Sequence, residues 1–296
     1  MPCALITGGG GFIGARLARR LLGDGWTVDL LARPSTVVDQ DLSAVTIHRF
    51  DGATEGLIAI MAAARPDTVF HLASLYLAEH KPADLEALVA SNVLLTGQLA
   101  EAMTVALPAG SARLVSTGTA WQHYRGSGYV PVNLYAATKQ AGDDLLRYYI
   151  DARRLSSITL KLFDTFGQGD TRRKLLQLLV DAAASGQRLG MSPGDQIMDI
   201  SHVDDVVDAF VVAGHRLLTT TDSLDESYFV SGERLRVRDL VPIVERATGR
   251  TLDVAFGERP YRAREVMVPV APAEGQHLPG WIPRRRLADM LPTLSA

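Results

Sequence analysis

Cys3-Ala4-Leu5-Ile6-Thr7-Gly8-Gly9-Gly10-Gly11-Phe12-Ile13-Gly14 is the stretch whose reading decides the fold. Its first five residues form an apolar run bounded by glycine and too short for a helix, so a buried strand is expected. Residues 15–22 then carry helical periodicity and stop at Gly23-Asp24-Gly25. Gly8, Gly11 and Gly14 follow the spacing G-x-x-G-x-x-G. A strand, a glycine turn holding Phe12 and Ile13, and a helix let backbone N–H groups and the helix N-terminus grip a pyrophosphate. Elsewhere the same glycines would make a flexible loop; a strand before and a helix after favour a dinucleotide site.

Working outward, residues 26–32 read as the next strand. Folds that prefer NAD usually end this strand with a carboxylate on the ribose hydroxyls. Here the tip is Ala32-Arg33-Pro34-Ser35. Arg33 is either a plain surface charge or the partner of a 2′-phosphate, a contact that Ser35 extends. NADP(H) is therefore expected ahead of NAD(H). Asp29, mid-strand, reads as a solvated or edge residue. A third strand over 45–50 ends at Asp51-Gly52, where the carboxylate is placed to accept from the adenine amino group. A fourth over 68–73 ends in His71-Leu72-Ala73-Ser74, whose small residues admit a cofactor close to the backbone. His71 itself reads as a satisfied core histidine. A long helix over 85–106 carries Asn92, and further strands are expected over 113–116 and 157–163. This alternation implies an α/β fold, a Rossmann-type doubly wound parallel sheet.

After Pro131, Tyr135-Ala136-Ala137-Thr138-Lys139 opens a helical pattern. A spacing of four stacks Tyr135 and Lys139 on one helix face, and an ammonium beside a phenol favours its ionisation. Such a pair suits proton exchange with an alcohol or carbonyl. Alone it is common on solvated helices; the glycine turn gives it a cofactor to work against. Ligands of doubly wound sheets sit at the carboxyl ends of strands, so Thr117 is expected to bond the same substrate oxygen as Tyr135. Trp121, Gln122 and His123 either line a substrate pocket or form a loop packed on itself. Beyond residue 164 the strands shorten and the loops fill with Gly, Pro and Arg.

Composition narrows the field. The 296 residues suffice for one large domain or two smaller ones. A net charge of −3 leaves no basic footprint for nucleic acid. The single cysteine, Cys3, rules out an internal disulfide framework and fits a reducing compartment. The histidines lack paired spacing, so no metal site is expected. With no run of about 18 apolar residues and no basic N-terminal lead, a cytoplasmic protein without a membrane span is expected.

Taken together, the glycine motif, Asp51, His71-Leu72-Ala73, Asn92, Thr117 and Tyr135 with Lys139 resemble the extended short-chain dehydrogenase/reductase family, in its nucleotide-sugar branch. Gly118-Thr119-Ala120-Trp121-Gln122-His123, residues 131–140 and Lys161-Leu162-Phe163-Asp164 look like the reductases that make CDP-abequose and CDP-paratose. The resemblance implies NADPH-dependent reduction of the 4-keto group of a nucleotide-linked deoxyhexose. It makes Tyr135 the acid/base, gives Lys139 the nicotinamide ribose, and gives Thr117 the carbonyl oxygen. It also implies an N-terminal cofactor domain over 1–165, rejoined near 203–230, and a substrate domain over 166–296. Thr119, Trp121, Gln122, His123, Asp164, Lys174, Leu175, Met191 and Arg262 are then the substrate-site candidates. A homodimer built on a four-helix bundle is also implied.

Departures refine this. Dehydratases of the branch carry an Asp-Glu pair where this chain has Gly118 and Thr119, neither a general acid or base. Asp164 replaces the usual Asn, and Met198 the usual Arg, near the nucleotide diphosphate; Lys174, Arg262 and Arg264 are the replacement cations. Asp164 is expected to hold a hydroxyl or another side chain. The alternatives left open are a 4-epimerase with tightly held NAD, a reductase of a non-sugar carbonyl, and a non-catalytic NADP-sensing regulator.

Overall fold

The computed structural model describes every residue except Arg154, Arg173, Thr221, Asp222, Glu274 and the last three, 294–296. The opening stretch forms β1 (Cys3–Thr7) and α1 (Phe12–Gly23), followed by β2 (Thr27–Ala32), β3 (Thr46–Arg49), α2 (Thr54–Ala64) and β4 (Thr68–His71). Then come α3 (Leu85–Val89), a π turn (Ala90–Leu94), α4 (Leu95–Ala106), β5 (Arg113–Thr119), α5 (Leu134–Arg153) and β6 (Ser156–Leu162). The remainder is β7 (Asp164–Phe166), α6 (Leu175–Ser185), β8 (Leu189–Met191), β9 (Ile197–His202), α7 (Val203–Thr219) and β10 (Asp225–Val230). The chain closes with β11 (Glu233–Arg236), α8 (Leu240–Thr248), β12 (Val254–Phe256) and α9 (Leu287–Met290).

Seven strands build one parallel sheet in the order β3-β2-β1-β4-β5-β6-β10. Side chains on a strand alternate between faces, and the apolar strand runs serve two cores accordingly. Ala4, Ile6 and Phe70 join Leu17, Leu21 and Phe210 of α1 and α7 on one face. Leu5, Val69 and Leu114 join Leu57, Leu99, Met103 and Leu146 of α2, α4 and α5 on the other. Strand order reverses between β1 and β4, the crevice where such sheets bind ligands. After β6 the chain leaves the sheet for a third core around Phe166, Leu179, Ile200 and Leu240. It returns through α7, whose N-terminus is capped by the His202 side chain, and through β10 beside β6.

The helix expected over 85–106 is not regular. Its π turn contains Asn92, which is fully buried, and π turns inside helices commonly mark functional sites. The stretch Pro82–Ala106 is also long and apolar enough to cross a membrane by length and composition. Here Leu88, Asn92, Thr96, Leu99 and Met103 are buried in the fold, with α4 packed on α2 and α5. Asp29, expected to be a solvated or edge residue, is largely enclosed on a strand inside the sheet and bonds His48 Nε2 at 3.0 Å.

Candidate active site

The glycine turn meets the demands of a pyrophosphate site. Gly8 has φ +74°, and a Cβ there would lie 2.7 Å from Ala73 N, so the turn presses on the end of β4. A Cβ on Gly14 would lie 2.2 Å from Gly8 O. Gly11 caps α1 with no side-chain bond, and the first turn holds no acidic residue. The positive helix end and its first N–H groups are thus left for an anion. At the far end of the sheet, Arg33 is exposed beyond β2, and Arg49 of β3 donates to Arg33 O at 3.0 Å and Thr36 O at 2.8 Å. A second guanidinium therefore stands beside Arg33 and the exposed Ser35. Its signal was a strand tip reading His48-Arg49. Asp51 and Gly52 are exposed at the mouth of β3, where Asp51 Oδ1 accepts from Ala53 N.

Two chains of hydrogen bonds run behind the cleft. Ala73 N donates to Thr7 Oγ1, which faces His71 Nδ1 at 2.8 Å. On the other side His71 Nε2 lies 3.0 Å from Thr96 Oγ1, which itself donates to Asn92 O. Thr96 has spent its proton, so Nε2 must donate and Nδ1 must accept from Thr7: the directions fix the neutral tautomer. Burial, then the Lys139 charge, hold the His71 pKa down to about 3. The core reading of His71 is what the geometry gives. Asn92, proposed from sequence to touch the cofactor, instead spends its amide on protein. Its Oδ1 accepts from Ser74 Oγ and Leu75 N, and its Nδ2 donates to Leu75 O and Thr138 Oγ1. It braces the loop after β4 against α5, and so reaches the site through Ser74.

Tyr135 and Lys139 share one face of α5, which starts where Asn133 Oδ1 accepts from Ala136 N, an N-cap. Their electrostatics differ from the sequence expectation. Burial pushes the Tyr135 phenol up to about 12, and the groups that pull it back are the Ser74 and Thr119 hydroxyls and Arg172. Lys139 is 3% exposed and is itself held below its ordinary value by burial, against the pull of Asp143. Desolvation outweighs the expected acidification, because low-dielectric surroundings disfavour the charged form of both groups. Thr117, expected to share the substrate oxygen, donates its hydroxyl to His71 O at 2.9 Å. The hydroxyls beside Tyr135 belong to Ser74 and Thr119.

The loop after β5 divides likewise. Trp121 lines the site, its ring 5.7 Å from Tyr76. Gln122 is fully buried: it accepts from Thr119 N and donates to Gln140 and Asp143. It is a brace rather than pocket wall, correcting the sequence expectation. His123 borders the larger cavity and bonds Lys161 Nζ at 2.9 Å. Burial and then the Lys161 charge depress its pKa.

Two cavities meet here. A smaller one, about 250 Å³, is lined by Gly8, Gly11–Gly14, Leu72, Ser74, Thr117, Thr119 and Tyr135. A larger one, about 1100 Å³, is lined by Leu175, Met191, Met198, Arg259, Arg262 and Arg264 among others. Tyr76, Trp121, Phe163, Asp164 and Lys174 border both. Tyr76, which the sequence reading missed, lies edge-on to Tyr135 with centroids 5.1 Å apart. Asp164 holds another side chain, as expected: Lys174 Nζ, at 3.0 Å. That pairing removes Lys174 from the free cations. Arg264 is engaged too, donating to Val132 O and Pro131 O and stacking on Tyr124. Among the described residues the Arg262 side chain makes one long ion pair, 3.9 Å to Glu79, and Arg259, unremarked in the sequence, faces the same space. Among the described residues no group of three or more His, Cys, Asp or Glu converges as a metal site would.

Residues 4–221 match the NAD dependent epimerase/dehydratase family. The CDP-abequose synthase of Yersinia pseudotuberculosis is 25% identical over 272 residues, which cover 90% of each chain. The UDP-glucose 4-epimerase of Mycolicibacterium smegmatis is 31% identical over 229 residues, 71% of this chain and 72% of that one. Among solved structures, the UDP-glucose 4-epimerase from Brucella ovis in complex with NAD aligns with TM-score 0.87 at 22% identity, covering 100% of this chain and 98% of that one.

Proposed function

The chain belongs to the NAD dependent epimerase/dehydratase family, and from that premise we propose that it reduces the 4-keto group of a nucleoside-diphosphate 4-keto-6-deoxyhexose, with NADPH as reductant. The observation that carries the reading is the junction of the cavities: Tyr135 sits in the smaller one, against the glycine turn, where the larger one opens past Tyr76 and Trp121. A nicotinamide dinucleotide held by the glycine turn would supply the hydride. Tyr135 gives its phenolic proton to the oxygen of the reduced carbon. A phenol with a pKa near 12 is protonated at neutral pH and so ready to donate. Ser74 and Thr119 orient that hydroxyl, and buried Lys139 supplies the positive charge that steadies the phenolate left behind. Gly118 and Thr119 offer no group to expel water, which argues against a dehydratase.

Ala32-Arg33 in place of a carboxylate, with Arg49 alongside, supports NADP(H) and hence a cofactor consumed in each cycle. The similarity to CDP-abequose synthase over nine-tenths of the chain points the same way. The rival is a 4-epimerase that keeps its NAD, and the 31% identity to a UDP-glucose 4-epimerase favours epimerisation. The deciding experiment offers NADPH and a nucleotide-linked 4-keto-6-deoxyhexose to purified protein. Stoichiometric NADPH oxidation that falls about 10²–10⁴-fold in Tyr135→Phe is the expected result. NAD that co-purifies and interconverts 4-epimers without net oxidation would replace the reductase reading.

A further inference from the structure

We propose that Arg172 is a side-chain clamp for the dinucleotide's pyrophosphate, facing the backbone donors of the glycine turn; this rests on the dinucleotide reading above. Arg172 lines the same small cavity as Gly8, Gly11 and Gly14. Its guanidinium lies 4.8 Å from the centre of the Phe12 ring, the first residue of α1. Arg16 lies 5.5 Å from that ring and donates to Gln168 O, so the loop after β7 is strapped across the turn from both sides.

Three features set Arg172 apart from an ordinary surface arginine. It is anchored: Nε and Nη2 bond the two oxygens of Asp170, and Nη2 reaches Thr165 O. Among the described residues, Nη1 has no acceptor. Finally, it shares the small cavity with the glycine turn, Tyr76 and Tyr135, and its charge acts on both phenols. With Nε and Nη2 held by Asp170 and Thr165 O, Nη1 is left to donate to a diphosphate from the side opposite the backbone N–H groups, a charge-assisted bond of fixed direction. Asp170 holds the side chain in place before the ligand arrives, so little rotamer freedom is lost on binding.

A sugar nucleotide also carries a diphosphate, so the test must separate the two. Dissociation constants for NADPH, NADH, CDP and UDP are measured by titration calorimetry on the wild type, Arg172→Ala and Arg172→Lys, with melting curves to verify folding. The expected result is a loss of about 10- to 100-fold for Arg172→Ala, equal for NADPH and NADH because both share the pyrophosphate, with a smaller loss for Arg172→Lys. CDP and UDP should bind as before. Unchanged dinucleotide affinity, or a loss confined to CDP and UDP, overturns the proposal. A wild type that binds neither dinucleotide overturns the redox reading with it.

Discussion

At the scale of single residues, hydrogen-bond direction separates side chains that look equivalent in sequence. Thr117 and Thr119 flank Gly118 with the same hydroxyl, yet Thr117 has given its proton to His71 O while Thr119 stands beside Tyr135. Thr119→Val should therefore lower kcat at least tenfold, whereas Thr117→Val should cost about 1 kcal/mol of stability, the worth of one hydrogen bond, and spare turnover. Steady-state kinetics beside denaturant unfolding of both variants gives the answer; a larger kcat loss in Thr117→Val would reverse the assignment. His71 carries a pH prediction. Its pKa in the folded chain, about 3, lies below the ordinary 6.5. Its contribution to stability is thus whole above about pH 6.5 and drains away as pH falls from there toward 3, by up to about 1.4 kcal/mol per pH unit. Unfolding free energies at pH 7, 6 and 5 should fall less steeply in His71→Gln than in the wild type. Equal slopes would mean another group titrates.

At the scale of elements, the glycines of the first turn are not interchangeable. Gly14→Ala drives a methyl group into Gly8 O, 2.2 Å away, and should abolish NADPH binding by reshaping the turn. Gly23, at the other end of the same helix, has nothing within 4 Å of its would-be Cβ. Gly23→Ala should raise stability by about 0.5–1 kcal/mol through helix propensity alone. Calorimetric titration and melting curves on the two variants test the contrast; NADPH binding retained by Gly14→Ala would show that the turn relaxes. The helix before β5 teaches a complementary lesson. Its sequence reads as uninterrupted, yet a π turn rotates Asn92 inward, where it ties Ser74 to Thr138 across two elements. Nothing in the local pattern announces that extra residue per turn, because its stabilisation comes from partners distant in the chain.

At the scale of the whole molecule, the outer faces of α3, the π turn, α4 and α5 expose Leu85, Val89, Leu94, Val105, Leu145 and Tyr148. Apolar residues gathered on neighbouring helices are what a self-complementary two-fold contact buries. The protein is expected to elute as a dimer in size-exclusion chromatography with light scattering. Leu94→Glu combined with Tyr148→Glu should yield monomers, since two carboxylates would be buried without partners. A wild-type monomer at micromolar concentration would remove the four-helix contact.

The first six strands of the large sheet, the glycine turn and the Tyr135–Lys139 spacing were legible in the chain, because each is set by local periodicity or by a backbone conformation that few residues allow. So was the absence of a carboxylate after Ala32. What only the folded chain decided is which polar groups are free to meet a ligand. Gln122, Asn92 and Lys174 had the right chemistry in the right order, yet the fold spends them on Asp143, Thr138 and Asp164. Tyr76 and Arg172 carried no motif and came to the cleft through long-range packing. The acidity of Tyr135 followed the same rule: spacing put an ammonium one turn away, but burial, a property of the assembled tertiary structure, set the sign of its shift.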